Sequence, residues 1–142
     1  QKIKDKMQAC FLDREKKGHF DYPSCGCVFK NDYHPQVSLP AGLMISSCGL
    51  MGLQYRGAQI SPKHANFIYN NKSATSDDIL ELSFKVRDTV WQKLGVWLSY
   101  EMEVLGKLNP IQEQKFFMKK PACYQEDLLK KLRKKFRLSS AR

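Results

Sequence analysis

The 142-residue chain has no apolar run long enough to span a membrane, and its first residues alternate charges with apolar positions rather than forming a signal peptide. It has no even, regularly spaced cysteine set: the five cysteines (Cys10, Cys25, Cys27, Cys48, Cys123) fall at irregular intervals. That argues against a secreted disulfide framework and for reduced thiols in a cytoplasm. No internal repeat and no low-complexity segment occurs, and no Cys-x-x-Cys redox pair. The three histidines, His19, His64 and His34, stand apart from one another. No second Cys or His pair follows Cys25 and Cys27 at a matching interval, so no metal site is expected.

Hydrophobic residues make up 42% and charged residues 27%, a globular balance that excludes wholesale disorder. The net charge of +10 is concentrated near the C-terminus. Residues 1–106 carry 13 Lys+Arg against 11 Asp+Glu, whereas 107–142 carry 11 against 3. The basic character therefore belongs to the last quarter of the chain. Gln1 is not a Met and falls inside a helical pattern, so a longer parent chain is expected.

Periodicity predicts a mixture of elements. "KIKDKMQACFLDREKK" puts Ile3, Met7, Cys10 and Phe11 on one helical face and ends at Gly18. "CVF" reads as a short strand after the loop at Pro23. "SLPAGLMISSCGL" predicts a helix begun by Pro40, with Leu43, Met44 and Ser47 inward and Gly49 as its stop. "LQYRGAQIS" and "NFIYN" predict two strands around the corner "SPKHA". "ATSDDILELSFKVRDTVWQKLG" predicts a long helix capped by Ser76, burying Ile79, Leu82, Val86, Val90 and Leu94, and ending at Gly95. "VWLSYEMEVLG" predicts a further strand. Without βα regularity, the class is α+β. After Gly106, residues 107–125 read as irregular, and "EDLLKKLRKKFRL" as a basic amphipathic helix with a stripe of Leu128, Leu129, Leu132 and Phe136.

The residues that carry chemistry lie around Cys25 and Cys27. Spacing alone leaves these thiols open between packing in a tight turn and a task for one of them. "YPSCGCVFKN" (residues 22–31) resembles a segment of the UDP-N-acetylenolpyruvylglucosamine reductase family, the MurB family of peptidoglycan synthesis. The stretch from residue 41 to 80, "AGLMISSCGLMGLQYRGAQISPKHANFIYNNKSATSDDIL", and "GVWLSYEMEVLG" (residues 95–106) resemble the same family, in the same order. The resemblance covers residues 1–106 and implies the family's C-terminal, substrate-binding domain, with 107–142 as a basic extension outside it.

It implies a flavoenzyme that uses FAD, and NADPH as reductant, to reduce UDP-N-acetylglucosamine enolpyruvate to UDP-N-acetylmuramate. FAD would be bound mainly by an N-terminal half that this chain does not match. Cys27 stands where many members carry a proton-donating Ser and some a Cys. A thiol is mostly protonated at neutral pH yet far more acidic than a hydroxyl, so it suits that task. Cys25 stands at a small, packing position. Glu101 matches the active-site Glu that stabilises the enol form of the substrate carboxylate. Asn31, His64 and Lys17 match positions near the substrate.

Three departures from the family pattern stand out: Asp32 for a Pro, Met51 for a Lys, and Arg56 at the start of a Gly-Gly pair. Arg at that point is expected to remove the freedom a Gly gives for a positive φ or a close approach. A second reading is a degenerate, non-catalytic relative acting as a binding module through its basic tail. Contact of 107–142 with a nucleic acid or an anionic surface is disfavoured against a solvated appendage that packs Leu128, Leu132 and Phe136 on the body, and "LLKKLRKKF" lacks the Trp and Tyr stacking residues of a single-strand binder. The joint presence of Cys27, Asn31, His64 and Glu101 favours the enzyme.

Overall fold

A computed structural model of the chain describes residues 1–31, 39–119, 131 and 134. Among the described residues, four named helices and four strands follow in the order α1 Lys2–Lys16, β1 Ser24–Cys27, α2 Ala41–Ser47, β2 Gln54–Tyr55, β3 Ala58–Ile60, β4 Phe67–Asn70, α3 Ser76–Leu94 and α4 Pro110–Phe116. The strands form one antiparallel sheet in the order β1-β4-β3-β2. This is the expected α+β class. Of the predicted basic helix at 126–138, Lys131 and Lys134 alone are among the described residues, both helical and exposed.

α3 covers the sheet and organises the core. Leu82, Val86 and Val90 are fully buried against Ile45, Ile60, Ile68 and Val28. Burial of one such aliphatic side chain contributes about 1.5–3 kcal/mol. The cap is Thr75 rather than Ser76: its hydroxyl accepts from the Asp78 amide while the Asp78 carboxylate accepts from the Thr75 amide. A capping box needs its acidic partner three residues on, and only Thr75 has Asp78 there.

Other expectations are corrected. In α2 the buried residues are Ala41, Met44 and Ile45, and Leu43 is 40% exposed, because the helix turns its Ala41–Met44–Ile45 edge to the core. The first predicted strand after α2 is a hairpin, β2 and β3, with Arg56 and Gly57 between them. Arg56 itself takes the left-handed φ of +49°. The close approach falls to Gly57, where a Cβ would lie 2.5 Å from the Lys72 carbonyl oxygen. The "CVF" strand sits earlier, at Ser24–Cys27, since Val28 and Phe29 give their amides to Asn66. Residues 96–105 form no regular strand: Tyr100 makes one bridge to Phe29, with Ser99 and Glu101 bonding its neighbours Lys30 and Val28.

Past Gly106, α4 occupies part of the stretch read as irregular. Asn109 caps it, Pro110 opens it, and Gln112 completes a second capping box. Gln112 also donates to Asp77 at 2.7 Å, and Arg87 donates to the carbonyls of Lys115 and Phe116, so α4 is latched to α3.

α1 differs from the rest. It buries none of its residues, and its apolar face stands open: Ile3 is 76%, Met7 67% and Phe11 51% exposed. Among the described residues, only Phe20 stacks on it, through Phe11.

Candidate active site

The position of Cys27 follows from a defect in strand pairing. β1 and β4 are in register at Ser24 with Tyr69 and at Cys27 with Phe67, so three steps along β1 match two along β4. The extra residue is absorbed around Gly26, whose φ of +83° suits glycine. In a regular strand two residues spaced by two share a face, but here they separate. Cys27 opens into a cleft of about 340 Å³ with Asn31, Lys63, His64 and Asn66, and with Gly42, Leu43 and Ser46 of α2. Cys25 lines another hollow, of about 430 Å³, beside Ile68, Ile79 and Glu103. It is exposed rather than packed inside, contrary to the small-residue role expected of it, because the bulge turns it out of the β1–β4 seam.

The cleft walls are built by local hydrogen bonding. Buried Ser61 accepts from the amides of Lys63 and His64 at 3.1 and 3.0 Å, which folds the "SPKHA" corner and projects both side chains. Asn31 accepts through Oδ1 from the amide of Ala41 at the start of α2, leaving its N–H groups as the donors it can offer a ligand. Asn66 is 2% exposed and grips the strand beside Cys27: Oδ1 accepts from the Phe29 amide at 3.0 Å and Nδ2 donates to the Phe29 carbonyl at 2.8 Å.

Electrostatics favour neutral forms. Burial pushes the Cys27 thiol above its ordinary value; a hydrogen bond from Asn66 lowers it, and the charges of Glu101 and Cys25 raise it. The thiol is therefore protonated at neutral pH. Burial holds His64 below the usual histidine range, assisted by the neighbouring His19. Its Nδ1 is buried without a hydrogen-bond partner among the described residues.

Three of the five expected site residues, Cys27, Asn31 and His64, thus meet at one cleft. Glu101 lies alongside: its amide donates to the Val28 carbonyl at 2.9 Å, one residue from Cys27, and its side chain is exposed. Lys17 is not on the cleft wall; it pairs with Asp13 at 2.6 Å on the end of α1. The cation on the wall is Lys63, which pairs with Asp21 at 2.9 Å. Lys63 and Asn66 were missed because periodicity gives a corner residue no face. The signal present was the Ser-Pro turn ahead of them. A larger hollow, about 640 Å³ between residues 102–108 and α4, lies away from the cysteine.

A family model described as "UDP-N-acetylenolpyruvoylglucosamine reductase, C-terminal domain" matches residues 18–105, more than half of the chain. A reductase of that name from Latilactobacillus sakei is 41% identical over 105 residues, covering 74% of this chain and 33% of the relative. The one from Thermotoga sp. (strain RQ2) is 45% identical over 102 residues, covering 72% and 33%. Among solved structures, the crystal structure of UDP-N-acetylenolpyruvylglucosamine reductase (MurB) from Thermus caldophilus superposes with a TM-score of 0.51 at 35% identity, over 71% of this chain and 35% of that one. The chain spans about a third of the length of the curated relatives it matches. On that match over residues 18–105 and these relatives, the chain belongs to the MurB C-terminal domain family.

Proposed function

We propose that this chain is the substrate-binding portion of a cytoplasmic oxidoreductase that converts UDP-N-acetylglucosamine enolpyruvate to UDP-N-acetylmuramate for peptidoglycan synthesis. The observation that carries this reading is the convergence of Cys27, Asn31 and His64, from three separate segments, on one cleft, with Glu101 bonded beside the cysteine. The cleft's thiol, amides, imidazole and ammonium suit a sugar nucleotide that also bears a carboxylate.

FAD, held mainly by a portion of the enzyme outside this chain and reduced by NADPH, supplies the hydride when bound. The chain's own residues do the rest. The Cys27 S–H bond breaks to give a proton to the substrate carbon that carries the developing negative charge. Glu101 stabilises or protonates the enol form of the substrate carboxylate. Asn31 and His64 orient substrate oxygens by hydrogen bonding. Lys17, on parting from Asp13, offers a cation to the substrate carboxylate.

The bare apolar face of α1 supports the same reading. A helix that buries nothing needs a covering surface, and the N-terminal, FAD-binding portion of the enzyme is the partner proposed for it. No helix among the described residues is long and apolar enough to cross a membrane. Residues 107–142 would then extend the substrate domain, 1–106.

The test is a titration of the chain with UDP-N-acetylglucosamine enolpyruvate, followed through the amide signals of Cys27, Asn31, His64 and Glu101. Saturable shifts at those residues are expected. Saturable shifts confined to another surface, or none with the complete enzyme at millimolar ligand, would overturn the reading.

A further inference from the structure

We infer that Asn66 is a positioning residue for the Cys27 thiol: locked onto both backbone groups of Phe29, it turns its remaining amide N–H to the sulfur and holds it in the cleft. The inference rests on the proton-donating role proposed for Cys27, and it adds a residue that the family pattern read from the sequence left unassigned.

Asn66 fixes the end of the bulged strand from three directions. Its backbone carbonyl accepts from the Val28 amide at 2.9 Å, and its side chain closes a two-bond ring with Phe29 at 3.0 and 2.8 Å. The two residues that follow Cys27 are therefore both tied to one buried side chain and its own backbone. This ring also settles which way the amide points. Flipping it would set the NH₂ group against the Phe29 N–H, donor to donor, and its oxygen against the Phe29 carbonyl. Of the two Nδ2 hydrogens, one serves Phe29; the other is left over, and because Asn66 and Cys27 line the same cleft, the inference assigns it to the sulfur.

The chemical consequence lies in what proton transfer leaves behind. When the S–H bond breaks and the new C–H bond forms, the electron pair stays on sulfur as a thiolate, which solvent later reprotonates. That thiolate forms in a half-buried place, near the carboxylate of Glu101, and both features oppose it. The Asn66 N–H works in the opposite direction, and a hydrogen bond to an ionised acceptor is stronger than one to a neutral thiol. The interaction thus tightens as the proton leaves. Aspartate at this position has no N–H to offer, and serine cannot span both Phe29 groups.

The experiment begins without altering Asn66. In the ¹⁵N-labelled chain, the Asn66 side-chain NH₂ pair is followed from neutral to alkaline pH beside the Cys27 Cβ signal. One of the two protons is expected to move downfield with the midpoint of Cys27, and that step is expected to vanish in Cys27→Ser. An Asn66 pair that does not move at the Cys27 midpoint would overturn the inference.

In the complete enzyme, Asn66→Ser is then expected to slow oxidation of the reduced flavin by substrate roughly tenfold, the worth of one charge-assisted hydrogen bond. Reduction by NADPH should be unchanged, and the pH at which Cys27 alkylates should move upward. A merely structural role would leave the alkylation profile in place, which would overturn the inference. A coupled amide titration with unchanged half-reactions would leave the Asn66–Cys27 pairing standing and reject the proton-donor role instead.

Discussion

The imidazoles of His19 and His64 meet edge to face at 5.3 Å, and both rest on Phe67, at 4.5 and 4.4 Å. Both are held below the ordinary histidine value of 6.5, in each case first by burial. Arg14 and Lys17 add to this at His19, against a small opposite effect of Asp13, and His19 and Lys17 add to it at His64.

A base whose folded pKa is lowered binds its proton more readily in the unfolded chain. Stability should therefore be intact above about pH 6.5 and fall as the pH drops below it. Urea midpoints measured from pH 7.5 downward should show this loss, well before the carboxylates of Asp13 and Asp78 titrate below their ordinary 3.8. In His19→Phe the loss should shrink; an unchanged profile would place the acid sensitivity elsewhere.

For Cys27 the expected pattern divides the reaction in two. In the complete enzyme, Cys27→Ala should leave flavin reduction by NADPH intact and slow oxidation by substrate by about 10²–10⁴-fold, the usual worth of a positioned proton donor. Cys27→Ser should retain activity and resist peroxide, since a hydroxyl has no sulfenic-acid ladder to climb. Stopped-flow absorbance of the flavin separates the two half-reactions, and equal slowing of both in the Ala variant would make Cys27 structural.

Arg87 is a buried cation at 3% exposure, with its guanidinium 4.4 Å from the Trp97 ring and 4.6 Å from Tyr100. Its N–H groups donate to the last carbonyls of α4, where the helix end is negative. Arg87→Met should cost about 2–4 kcal/mol, from lost charged hydrogen bonds and cation–π contact. Hydrogen exchange should show α4 losing protection before the sheet does.

Tyr100, stacked between Phe29 and Phe116, has its hydroxyl pushed up to about 12 by burial, partly offset by Arg87. An acid whose folded pKa is raised ionises first in the unfolded chain. Its contribution is therefore present below about pH 10 and lost as the pH rises through about 12. Phenolate absorbance should show one tyrosine titrating late in the native chain, and Tyr100→Phe should remove it.

At the β2–β3 turn, adjacent residues should respond oppositely. A Cβ on Gly57 would sit 2.5–2.7 Å from the backbone of Lys72 and Ala74, atoms that cannot rotate away. Gly57→Ala should cost about 1–3 kcal/mol. Arg56→Gly should stay within about 1 kcal/mol, since relief of its φ of +49° offsets loss of a 3.4 Å pair between the exposed Arg56 guanidinium and the buried Asp78. Thermal melts of the two variants provide the comparison.

Much of this architecture was legible because local and tertiary preferences agree. α3 announces itself through its apolar stripe and through the terminal Gly95; its cap moved by one residue, Ile79 is half-buried, and Leu80 and Phe84 are buried beside the expected Leu82, Val86, Val90 and Leu94. The same kind of signal was present, and overlooked, for α4, where Asn109, Pro110 and Gln112 spell a cap, a first-turn proline and a box. The Arg56 hairpin was hidden because arginine is not a turn residue and takes its left-handed φ under constraint from Gly57. Residues 96–105 alternate like a strand, yet Asn66, not a neighbouring strand, satisfies the Phe29 amide. At the site, Cys27, Asn31 and His64 could be named from the sequence. Lys63, Asn66 and the displacement of Lys17 could not, because they depend on how the corner and the end of α1 sit against the bulge.

The bulge at Gly26 also makes the two thiols independently addressable. Cys27 and Cys25 are neighbours in sequence but open into different hollows, one beside His64 and the other beside Ile79 and Glu103. A fluorophore attached to Cys25 would watch the α3 side of the sheet while leaving the Cys27 cleft free for ligand. One glycine's backbone angle thereby gives the domain a built-in reporter position on the far side of a single strand from its reacting thiol.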